Sequence, residues 1–118
     1  LGRKYGNNNS FIDATLTTVY TSTGDNAVTS MIFCNYADAD NIPGDNILTD
    51  ADTFLDLHIV KSGQSATDVN KILHQLKIPA GETFIMDTEK FVFGTGDKII
   101  AQTTSPATIS VTISTIEV

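Results

Sequence analysis

The chain has 118 residues, 41% of them hydrophobic, with 14 acidic against 7 basic side chains for a formal net charge of −7, and a single cysteine. That length suits one domain able to bury a core without cross-links, and one cysteine forms no internal disulfide. The acidic balance argues against a nucleic-acid binder, which needs a basic face to displace phosphate counterions, and no apolar run approaches the roughly 18 residues of a membrane-spanning helix.

The opening Leu1-Gly2-Arg3-Lys4 is basic but is followed by no apolar stretch, so it does not read as a signal peptide. Residues 1–10, with Asn7-Asn8-Asn9-Ser10, repeat with neither a helix nor a strand period and read as an extended arm. The arm is either a frayed terminus or, because its Arg3 and Lys4 oppose the acidic body, a segment that reaches a neighbouring subunit, with Tyr5 beside them.

Residues 11–118 read as one β-sandwich domain. A first strand is expected over 14–22, rich in Thr, Val and Tyr, then a turn at Thr23-Gly24-Asp25-Asn26. A second, over 27–35, places Ala27, Thr29, Met31 and Phe33 on one face and Val28, Ser30, Ile32 and Cys34 on the other, so both faces are largely apolar. Cys34 reads there as a small buried hydrophobe. Residues 37–52 break the pattern with five aspartates around Pro43-Gly44. Ile42, Ile47 and Leu48 in this loop are hard to leave in water, so they fold back over the sandwich end or meet a second subunit.

A third strand over 54–61 alternates Leu55, Leu57 and Ile59 with Asp56 and His58, which makes His58 a surface or rim residue. Residues 66–78 fit a helix through Val69, Ile72, Leu73 and Leu76, with Ser65 and Asp68 resembling a capping box. They also fit a strand over 71–78, favoured because every other element is β. Strands over 82–86, 90–93, 98–103 and 108–118 follow, with Gly94-Thr95-Gly96-Asp97 read as a hairpin turn. The last strand alternates Ile109, Val111 and Ile113 with hydroxyls, then slips phase to Ile116 and Val118, which predicts a bulge near Ser114 and Thr115. The sum is an all-β, single antiparallel sandwich, jelly-roll-like, of seven or eight strands with an N-terminal arm.

Catalytic and ligand chemistry is weakly signalled. Asp38, Asp40, Asn41 and Asp45 are calcium-ligand types, but Gly44 is misplaced for an EF-hand and no Glu closes the loop. His58, His74 and Cys34 lie in separate elements, without the short spacing of a zinc pair. No nucleophile elbow occurs, and Gly94-Thr95-Gly96 lacks the third glycine of a phosphate loop. With Trp absent, Tyr5, Tyr20 and Tyr36 are the aromatics left for a glycan platform. No catalytic residue, metal or cofactor is expected.

Three stretches carry a resemblance: Ile78-Pro79-Ala80-Gly81-Glu82-Thr83-Phe84, Glu89-Lys90-Phe91-Val92, and Gly96-Asp97-Lys98-Ile99-Ile100-Ala101. With the hydroxyl-rich last strand, and with Val19-Tyr20-Thr21-Ser22 and Leu57-His58-Ile59-Val60, they resemble small virion structural proteins of tailed bacteriophages, in which residues 37–52 look like an insertion. The resemblance implies a non-enzymatic component of the virion. A capsid decoration (cement) protein that stabilises the particle by contacts with neighbouring subunits is favoured, and a neck-, tail- or fibre-associated accessory protein is the alternative. A glycan- or cell-surface-binding module is a third reading. The implied partners are other virion proteins, the major capsid protein or neck and tail subunits, together with further copies of the chain, a trimer being one form. Neither nucleic acid nor a membrane is an expected partner. The interface candidates are Arg3, Lys4, Tyr5, Tyr36, Ile42, Ile47 and Leu48.

Overall fold

The computed structural model describes residues 4–38, 52–87 and 90–118. Among the described residues nine strands run in chain order: β1 Tyr5–Ile12, β2 Thr17–Thr21, β3 Asn26–Asn35, β4 Thr53–Val60, β5 Lys71–Ile78, β6 Thr83–Met86, β7 Phe91–Phe93, β8 Lys98–Thr103 and β9 Ile109–Glu117. They form two antiparallel sheets. Sheet A has the order β1-β9-β3-β6, with β7 also on β3, and sheet B has the order β2-β8-β4-β5. The fold is the expected all-β sandwich, its described residues forming eight strands when β6 and β7, which both pair with β3, are counted as one.

Alternation explains why these segments pack as they do. Ile109, Val111 and Ile113 of β9 face Leu55 and Leu57 of β4 and Ile99 and Ala101 of β8 across the interior, and Val28, Met31 and Phe33 of β3 complete a closed apolar core. Each large side chain so buried is worth about 1.5–3 kcal/mol relative to exposure. Phe84 stacks on Phe33 with ring centroids 6.2 Å apart, and Tyr20 meets Phe93 at 5.9 Å.

Several expectations are corrected. The segment read as an arm is a strand: residues 5–12 pair with β9 over every position from Tyr5–Ile116 to Ile12–Ile109. Its side chains hid this, because only Ile12 of β1 is buried. The strand expected over 14–22 begins only at Thr17, after the chain crosses between sheets. Residues 71–78 are a strand, and the helical reading survives only as one 3-10 turn at Asp68–Asn70.

The bulge belongs to a different strand. Val28 pairs with Thr115 and Ser30 with Ser114, so the extra residue is Thr29 of β3. β9 stays regular and buries Thr115 (7% exposed). Room for it comes from Gly6 directly opposite, where an added Cβ would lie 2.8 Å from the Thr115 hydroxyl. The bulge also resets the faces of β3, so Val28 joins Met31 and Phe33 in the core while Ile32 and the half-buried Cys34 face outward. Cys34 is thus not a core residue.

His58 is buried (5% exposed) rather than at the rim. A register shift between Leu57 and His58 places it under the 3-10 turn, its Nδ1 3.0 Å from the Thr67 carbonyl and 2.9 Å from Asn70 Oδ1. Both partners are acceptors, so Nδ1 carries the proton. Residues 94–97 are not a hairpin turn, because they carry the chain from β7 in sheet A to β8 in sheet B. The acidic loop falls outside the described residues except at its ends, Ala37, Asp38 and Asp52.

Candidate functional site

In an antiparallel ladder directly opposed residues share a face, so the registers define what sheet A shows to its surroundings. One row contains Phe11, Ser110, Cys34 and Thr83, and the next Asn9, Thr112, Ile32 and Ile85. A third row contains Asn7, Ser114 and Ser30, and a fourth Tyr5, Ile116, Ala27 and Val92. None of these side chains is charged. The exposed apolar members are large: Tyr5 is 81% exposed, Phe11 69%, Val92 70% and Ile85 56%. Between them the hydroxyls of Thr112 and Ser114 donate to the side-chain oxygens of Asn9 and Asn7, each at 2.9 Å. This ladder holds the polar side chains of the face against the sheet.

Sheet B is the opposite case. On its outer side Asp56 accepts the Gln75 backbone N–H at 2.7 Å and lies 3.8 Å from Lys71 Nζ and 3.4 Å from His74 Nδ1. Lys71 also lies 3.4 Å from Asp68, and Lys77 pairs with Asp52 at 3.1 Å. Such partly covered surface pairs add little stability but keep that side hydrated.

The interface candidates from the sequence divide. Tyr5 is the outermost member of the fourth row, and Lys4 precedes it, exposed, its carbonyl accepting the Glu117 N–H at 2.8 Å. Tyr36 (51% exposed) lies past the end of β3, its ring edge-on to Phe11 at 5.7 Å and its hydroxyl donating to the Ala107 carbonyl at 3.4 Å. Tyr5, level with Ile116, and Tyr36, level with Thr108, therefore mark opposite ends of sheet A, separated by about 27 Å of strand. Arg3, Ile42, Ile47 and Leu48 lie outside the described residues. Phe11, Ile32, Ile85 and Val92 were not singled out by sequence. The alternation of Tyr5, Asn7, Asn9 and Phe11 was the available signal for β1, but a polar inner face disguised it.

Two other places hold polar chemistry. Asp97 accepts backbone N–H groups from Gly94 and Ser62, each at 2.9 Å, and these bonds, assisted by nearby Lys61, hold its carboxyl below the ordinary value of 3.8. It closes one end of the sandwich beside a depression of about 170 Å³ walled by Ile59, Phe91 and Phe93, with Lys61 and Lys90 in its lining. At the other end Asn35, fully buried, donates to the Ile78 carbonyl at 2.9 Å and accepts from the Thr108 hydroxyl at 2.7 Å and the Ala37 N–H at 3.2 Å. Both sites act as clasps. Among the described residues no group of three His, Cys, Asp or Glu side chains could hold a metal ion.

Comparison of the chain with protein-family models, with curated proteins and with solved structures gives no match.

Proposed function

We propose that this chain is a structural, non-catalytic component of a tailed-phage particle, acting as a capsid decoration protein that lays the outer face of sheet A on neighbouring virion subunits. The observation that carries this reading is the face itself. In a chain of net charge −7, the outward rows of β1, β9, β3, β6 and β7 contain no charged side chain and expose Tyr5, Phe11, Ile85 and Val92. Depletion of charge with retention of aromatic and aliphatic groups marks the centre of protein interfaces.

The phage assignment rests on the sequence motifs, which occupy joints of the fold. Ile78-Pro79-Ala80-Gly81 forms the turn from β5 to β6, where Gly81 at φ 81° donates its N–H to the Asn35 carbonyl at 3.0 Å. Gly96-Asp97 forms the crossing into β8. The strand order adds support: β1-β9-β3-β6 over β2-β8-β4-β5, with β6 and β7 counted as one interrupted strand, is read as a jelly roll, an architecture found among viral capsid domains.

Co-sedimentation of the purified protein with empty capsids of its particle tests the reading. Saturable binding in many copies is expected, with Ile85→Lys and Val92→Lys melting within about 3 °C of wild type yet failing to attach. No binding of the wild type removes the decoration role, and undiminished binding of both variants removes this face as the site.

A further inference from the structure

Among the described residues, the unpaired edges of the two sheets are unlike. β2 has five residues and a register break, β5 carries Lys71, His74 and Lys77 with two register shifts against β4, and β6 with β7 form a short interrupted edge beside Lys90. Short length, charge and irregularity are the ordinary ways of blocking edge-to-edge pairing. β1 has none of them: eight residues, no charge, no proline and an unbroken register.

We propose that a second copy of this chain pairs with that edge, β1 against β1, antiparallel about a two-fold axis at Asn8. The backbone sets the parity. Lys4 exchanges its carbonyl with the N–H of Glu117, so Lys4, Gly6, Asn8 and Ser10 turn their backbone groups to β9, while Tyr5, Asn7, Asn9 and Phe11 turn theirs to the open edge. Odd residues must therefore oppose odd residues, which also keeps each side chain on its own face. Centring on Asn8 pairs Tyr5 with the partner's Phe11 and Asn7 with the partner's Asn9, engages every edge-facing residue, and forms about eight backbone hydrogen bonds. A shift by one pair either way loses a pair and separates the aromatics. At each end Lys4 then lies opposite the partner's Ile12 and beside the partner's Asp13, an opposite charge. The contact is isologous, closes at two copies and makes one sheet through both. It uses the strand edge, not the outer face, and holds whether or not the protein binds a capsid.

Sedimentation velocity over a range of concentrations tests this on the whole chain. Wild type should reversibly reach a dimer, and Asn9→Pro should remain monomeric with an unchanged circular dichroism spectrum, because the N–H it loses faces the open edge rather than β9. In a Cys34→Ser background, Asn8→Cys should oxidise to a linked dimer, because the Asn8–Asn8 pair is the non-hydrogen-bonded kind with Cα atoms about 4.5 Å apart, within disulfide range. Asn7→Cys, whose counterpart is Asn9, should link at least tenfold more slowly. A wild type that stays monomeric or forms a trimer overturns the proposal, as does a dimer that survives Asn9→Pro or cross-links equally through both cysteine variants.

Discussion

Asn35 ends β3 with no solvent exposure, and its amide ties the IPAG turn, the start of the acidic loop and the approach to β9 into one clasp. Replacement by alanine takes the amide donor from the buried Ile78 carbonyl and the acceptor from the half-buried Thr108 hydroxyl. Asn35→Ala should lose about 2–3 kcal/mol, read as a lower denaturant midpoint at unchanged slope, and a loss under about 0.5 kcal/mol would contradict the clasp. At the other end Gly96 has φ 89°, and a Cβ there would sit 2.5 Å from the Ser62 hydroxyl. Gly96→Ala should cost about 1–3 kcal/mol, only partly restored by adding Ser62→Gly, because the backbone strain remains. The folded state favours the ionised form of Asp97, so its stabilisation is present above the ordinary carboxylate value and fades as pH falls below it. The stability gap between wild type and Asp97→Asn should accordingly be widest near neutral pH and shrink towards pH 3, as urea titrations would show. The glycines and Asp97 were visible in the sequence as a turn. Their bridging of two sheets was not, because the partner Ser62 is 35 positions away.

At the level of strands, alternation was legible wherever one face is apolar, as in β4, β8 and β9. It failed in β1, whose inner side presents Gly6, Asn8 and Ser10, and which is a strand because β9 offers it a complete ladder. An experiment that treats the first nine residues as a removable arm should therefore unfold or aggregate the protein by uncovering β9. The phase slip at Thr115 and Ile116 was a true signal with a misplaced cause: a threonine fits inside opposite a glycine, and the strand next door takes the extra residue. That bulge falls where β6 and β7 are interrupted, and there Lys90 Nζ donates to the Thr29 carbonyl at 3.1 Å and the Asp87 carbonyl at 2.8 Å. Lys90→Met should cost about 1 kcal/mol and speed amide exchange at Met86 and Phe91, without disturbing β9.

Across the molecule, the fold class followed from composition and period, while the pairing of nine strands into two sheets did not, since a period of two says which face is buried and nothing about neighbours. The proposed association surface was half legible. Tyr5 and Tyr36 were named as interface candidates, and Ile32 was placed on the face of its strand opposite Met31 and Phe33, whereas Ile85 and Val92 looked like any other strand residue until the registers placed them outside. The asymmetry between an ionic outer side of sheet B and an outer face of sheet A whose rows carry no charge is a property of the assembled sandwich. An electron cryo-microscopy reconstruction of the phage particle proposed to carry this chain is the most direct measurement. Density for the sandwich is expected in many symmetry-related copies on the shell, with the Tyr5–Phe11 face of sheet A buried against capsid subunits; a purified, infectious particle containing no copy of the chain, or one that holds it with this face fully in solvent, would overturn the decoration role.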